Sequence, residues 1–144
     1  MIEQDTIKLL RECDAGVKMG VKSIDETLDY VQNNDLKQNL SDCKAKHEEL
    51  QDEIQTSLAK YQDDGKEPSM MAKGMSWMKT NIKLTADESD QTVADLITDG
   101  CNMGVKTLNK YLNQYEAADE NSKDIAKRLI NIEQDLAMNI RSFL

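Results

Sequence analysis

The chain holds one histidine, His47, three cysteines, Cys13, Cys43 and Cys101, and 27 acidic residues among 144. Its chemistry must be sought in these groups. A lone histidine outside any nucleophile motif gives no support to acyl transfer, and without a glycine-rich loop after a strand there is no phosphate cradle for phosphoryl transfer. The thiols could take part in redox chemistry only if something lowered their pKa. Lys44 and Lys46 lie beside Cys43, yet a cysteine inside an apolar helical pattern ordinarily behaves as a small hydrophobe. The odd number of cysteines implies reduced, buried thiols rather than a disulfide framework. Acidic pairs such as Glu48-Glu49 and Asp63-Asp64 read as solvated surface.

Two polar residues interrupt apolar seams and so stand apart from that surface: Asp14 and His47. The seam around Asp14 is Ile7, Leu10, Val17, Val21, Ile24, Leu28 and Val31. Its alternating three- and four-residue spacing predicts a long helix over about 5–31. Gln32-Asn33-Asn34-Asp35 is a turn by composition, with Asp35 as the expected cap. Leu40, Cys43, His47, Leu50, Ile54 and Tyr61 predict a second helix over about 36–61, antiparallel to the first because the connection is short. Residues 62–68 read as a loop, and Pro68 suits the first turn of a short helix over about 69–82 that carries Met71, Met75, Trp77 and Met78. Thr85 and Glu88 form a capping box. Helices over about 88–115 and 122–143 complete the chain. The last of these places Ile125, Leu129, Ile132, Leu136 and Ile140 on one face.

This composition, with one proline, six aromatic residues and 31% charged residues, belongs to an all-helical protein with an aliphatic, methionine-rich core. The length predicts a single domain over 1–144. A net charge of −9 disfavours nucleic acid and an anionic membrane surface as partners. The N-terminus lacks the basic and apolar regions of a signal peptide, and no apolar run is long enough to span a bilayer, so the expected location is cytoplasmic.

One stretch is written twice. Gly16-Val17-Lys18-Met19-Gly20-Val21-Lys22-Ser23-Ile24 returns as Gly100-Cys101-Asn102-Met103-Gly104-Val105-Lys106-Thr107-Leu108, an offset of 84 residues. Glycine inside a helix costs about 0.5–1 kcal/mol relative to alanine, so four of them call for close approach of a neighbouring helix. Two hairpins related by a repeat, joined by a connection long enough to make the second and third long helices parallel, define the ferritin-like variety of four-helix bundle. The repeated Gly-x-x-Met-Gly-Val-Lys pattern also resembles an uncharacterised bacterial family of the ferritin-like superfamily, found in anaerobic Gram-positive species. The runs Met71-Ala72-Lys73-Gly74-Met75-Ser76-Trp77-Met78-Lys79-Thr80 and Val93-Ala94-Asp95-Leu96-Ile97-Thr98-Asp99 share the likeness, which spans nearly the whole chain.

The resemblance implies a di-iron or di-manganese carboxylate site, built from one Glu on each of two helices and a Glu-x-x-His on each of the other two. This chain departs from that pattern. Lys44 occupies the position three residues before His47, Glu133 is followed three residues later by Leu136, and the last helix has no histidine. Asp95 and Asp99 are further acids on the third long helix, where Thr98 takes the place of Asp14. A turn centred near Asn33 and Asn34 sets Asp14 level with Glu53 and His47 level with Gly20. Asp14 and His47 are then roughly 9 Å apart along the bundle axis. Imidazole opposite a glycine is a packing solution that can specify register, and the repeat predicts the same relation between Asn131 and Gly104.

No cofactor is expected, and the expected function is that of a non-enzymatic bundle acting through assembly or protein contacts. The alternative is a metal- or oxidant-handling protein with iron or manganese at an atypical site drawn from His47, Asp14 and Glu133. Met19 and Met103 lie off the main seams and require cover, either from the Met-Trp helix over 69–82 or from a second copy in a homodimer.

Overall fold

A computed structural model describes residues 2–68 and 89–144. Within them the chain forms four long helices: α1 (Ile2–Leu28), α2 (Asn34–Ala59), α3 (Asp90–Gln114) and α4 (Glu120–Ile140). A single 3-10 turn, Arg141–Phe143, follows α4. The expected short helix with Met71, Met75, Trp77 and Met78, and the capping box of Thr85 and Glu88, lie outside the described residues.

Side chains accepting from free backbone N–H groups set the starts of three helices. Asn33, not Asp35, caps α2, accepting from Asp35 N at 2.8 Å and Leu36 N at 3.1 Å. Ser89 caps α3 through Thr92 N, and Asp119 caps α4 through Ser122 N. The first helix ends three residues before its apolar pattern does; Val31 lies past it in the connection and is still buried in the core.

Hydrogen bonds between the ends fix the helix directions. The Asp90 carboxylate accepts from Gln32 N at 2.7 Å and Asn33 N at 3.0 Å, tying the start of α3 to the α1–α2 turn. At the other end Ala117 N donates to Asp5 Oδ2 and Asp119 N to Thr6 Oγ1, tying the α3–α4 turn to the start of α1. So α1 and α4 run one way while α2 and α3 run the other. The principal packing is α1 on α2, α3 on α4 and α2 on α4, with α1 also meeting α3 and α4.

The buried aliphatic residues form two clusters. One contains Ile24, Leu36, Leu40, Cys43, Ile97, Cys101, Leu136 and Ile140. The other contains Leu9, Leu10, Cys13, Val17, Leu50, Ile54, Leu108 and Leu129. Along α2 the boundary falls between Cys43 and Leu50, and along α4 between Leu129 and Leu136. His47 and Glu133 occupy those two gaps. No helix among the described residues is long and apolar enough to cross a membrane.

Candidate polar centre of the bundle

His47 is 1% exposed. It reaches the centre because α2 buries Leu40, Cys43, Leu50 and Ile54 on the same helical face. Its Nδ1 donates to the Cys43 carbonyl at 2.8 Å, with the Cys43 thiol 3.5 Å from the same nitrogen. Its Nε2 lies 2.6 Å from Glu133 Oε1 on α4. Both ring nitrogens therefore face protein oxygens, an arrangement that the doubly protonated imidazolium satisfies at both ends. Burial alone would lower the pKa of this ring. Hydrogen bonding to Cys43 and Glu133, together with the Glu133 charge, outweighs it and raises the pKa to about 10. Glu133, whose side chain is 13% exposed, completes a partly buried ion pair between the two core clusters.

The glycines account for the space. A Cβ on Gly20 would lie 2.6 Å from His47 Nε2 and 2.7 Å from its Cδ2, so the expected pairing of His47 with Gly20 holds. The counterpart does not. Gly104 faces Glu133, with 3.7 Å from a built Cβ to Oε2, whereas Asn131 is exposed. The reason lies in helix length: α3 extends to Gln114, two residues beyond the position equivalent to the end of α1. The offset of 84 in the first helix of each pair thus becomes 86 in the second. The caps Asn33 and Asp119 differ by 86, as do His47 and Glu133. Among the described residues, Gly16, Gly100 and Gly104 have no contact so tight that glycine is required; the expected general role in close helix approach narrows to Gly20, whose neighbour is a side chain.

Asp14 belongs to a separate node. It is fully buried, accepts from Gln55 Nε2 at 2.8 Å and from Lys66 N at 3.0 Å, and pairs with Lys18 at 2.8 Å. Glu53, expected level with it, instead holds Arg128 through two hydrogen bonds. The Asp14 node anchors the loop after α2. Gly65, at φ +93°, has no room for a side chain because a Cβ would collide with the Asp14 carboxylate. Asp63 with Arg11, Lys66 with Glu12, and Glu67 with Lys18 fasten the same loop along α1.

The three sequence candidates therefore divide: His47 and Glu133 come together and Asp14 does not. Lys44 pairs with Asp25 at the surface, and Asp95 and Asp99 are exposed. Thr98 Oγ1 is buried with no hydrogen-bond partner among the described residues, unlike Asp14, which stands 84 positions earlier. Among the described residues no group of three or more His, Cys, Asp or Glu side chains is arranged to hold a metal ion. The three cysteines are free and buried. Burial, reinforced by Glu12 and Asp14, pushes the Cys13 thiol up to about 12. Burial and then the Glu133 charge raise Cys101 further. Neither is primed as a nucleophile.

The sequence groups Glu133 with His47 only as a candidate metal ligand, and a seam through Ile132 on α4 does not single it out as the ion-pair partner. Counting from the caps places Glu133 at the equivalent of His47. No family model, curated protein or solved structure matches the chain.

Proposed function

We propose that this chain is a non-enzymatic ferritin-like bundle, made of two duplicated hairpins, that acts in the cytoplasm through assembly or contacts with another protein. The His47–Glu133 pair carries the reading. At the centre of the bundle, where a ferritin-like enzyme presents metal ligands, both ring nitrogens of the imidazole are taken up by protein oxygens and the raised pKa favours the imidazolium form. An imidazolium has no lone pair for a metal. The duplication is supported by the parallel course of α2 and α3 and by the matched caps. It is supported too by the two core clusters, in which Leu50 and Ile54 correspond to Leu136 and Ile140 at the 86-residue offset. Three free buried thiols suit a reducing compartment. Met103, 58% exposed on α3, is an adaptable apolar side chain open to a partner.

Light scattering at micromolar concentration, with metal analysis of protein purified without chelator or histidine tag, tests the proposal. The expected result is a species heavier than the 16.3 kDa monomer, reduced in mass by Met103→Glu, with far less than one metal per chain. Near-stoichiometric iron, manganese or zinc that disappears in His47→Ala would instead establish the metal- or oxidant-handling alternative. A strict monomer indifferent to Met103→Glu would remove the assembly reading.

A further inference from the structure

Above the His47–Glu133 pair, on the α1–α3 side, lies a cavity of about 510 Å³. Small-molecule sites are commonly about 300–1,000 Å³, mostly apolar, with a few polar groups that fix orientation. The walls here are apolar, including Met19 and Ile24 of α1, Ile97 and Leu108 of α3, and Leu129 and Leu136 of α4. His47, Cys101 and Glu133 also line it. The glycines keep it wide. A Cβ on Gly100 would meet no described residue within 4 Å, and one on Gly104 would meet only Glu133, no nearer than 3.7 Å. Alanine would favour the helix at both positions, so helix packing against the described residues does not explain glycine there.

Charge narrows the occupant. Among the described residues, the charged ones that line the cavity are Glu12, Lys66, Glu67, His47 and Glu133. Lys66 pairs with Glu12, Glu67 with Lys18, and His47 with Glu133. A charged ligand would lose its hydration without finding an uncompensated counter-charge among these described residues, which is costly. Glu133 uses Oε1 for His47 and is also hydrogen-bonded by the Cys101 thiol; its Oε2 lies on the Gly104 side, and a carboxylate, with about four lone-pair sites, can accept a further donor there.

We propose that this cavity binds a small, uncharged, largely apolar molecule with a single hydrogen-bond donor, of the phenol or indole class, its donor resting on Glu133 Oε2. The cavity is lined by one chain and shares Met103 with the assembly reading, but Met103→Glu and Gly100→Ala test the two separately.

Calorimetric titration of the full chain with p-cresol and with indole tests the proposal. Expected is saturable binding of both probes at one competitive site, about tenfold or more weaker for the charged analogues tyramine and 4-hydroxyphenylacetate. Gly100→Leu, which places a side chain in the cavity, should abolish binding, and Gly100→Ala, which is safe for the helix, should weaken it. Circular dichroism would establish that each variant is folded. Absence of saturable binding to the wild-type chain, equal or better binding of either charged analogue, or binding unchanged in a folded Gly100→Ala chain would overturn it.

Discussion

The buried His47–Glu133 pair is worth most as a pair. Removing one member leaves the other charge uncompensated in the core, so His47→Gln or Glu133→Gln should each cost about 3–5 kcal/mol. Replacing both with aliphatic residues of similar volume should be neutral or stabilising by about 1–4 kcal/mol. Urea unfolding of the two single variants and the double variant checks this. The pair also predicts a pH dependence with a definite sign. The His47 pKa is raised from 6.5 to about 10 on folding, so its contribution is fully present below pH 6.5 and is lost as pH rises towards 10. The urea midpoint should therefore fall between pH 6 and 8.5, below the range where buried thiols add their own effect. In His47→Gln that fall should largely vanish. The glycines supply a second contrast. Gly20→Ala drives a methyl group into the imidazole and should destabilise by about 1–3 kcal/mol. Gly104→Ala should stabilise by about 0.5–1 kcal/mol. Equal effects at the two positions would contradict the packing described for Gly20.

At the scale of elements, the helices declare their starts and the loop after α2 declares its path. Asn33, Ser89 and Asp119 are cap residues of the expected types, and all sit beside apolar helical patterns. The loop is held from α1 by Asp14, whose carboxylate satisfies Lys66 N, Gln55 and Lys18 together. Asp14→Ala would orphan a backbone N–H and a side-chain amide, costing about 3 kcal/mol. It should also expose residues 62–68 to proteolysis before global unfolding. Chemical denaturation and limited proteolysis separate the two effects. An Asp14→Ala chain cleaved no faster than wild type would show that the ion pairs along α1 hold the loop unaided.

At the scale of the whole molecule, the buried apolar side chains of the described residues fall into two clusters, with His47 and Glu133 between them. Leu50 and Leu136, 86 residues apart, lie in opposite clusters and are similarly buried. Leu50→Ala and Leu136→Ala should therefore cost similar amounts, within the range of about 2–5 kcal/mol for such truncations. Calorimetry or urea unfolding should find their midpoints close together, and a large disparity would argue that the two clusters are not equivalent. The same architecture explains why the bundle centre is polar although most of its lining is aliphatic. A charge on α2 is tolerable there only because α4 delivers the opposite charge at the same level, and Gly20 makes room for the imidazole.

The sequence alone determined the four long helices, their approximate bounds, the antiparallel course of the paired helices and the position of His47 opposite Gly20. Those features follow from local periodicity, short turns and an arithmetic of residues counted back from one turn. It could not determine which residue would meet His47 from across the bundle. That depended on α3 running two residues beyond its repeat equivalent, a shift that carries α4 along its axis and brings Glu133, not Asn131, to the centre. The count from the turn does set Asp14 about 9 Å from His47 along the axis, but it could not name the Asp14 partners, which include Gln55 of α2 and a backbone N–H in a loop that bears no periodic signal. Both outcomes were decided by tertiary packing, where a two-residue difference is about 3 Å along a helix and selects which side chains share a layer.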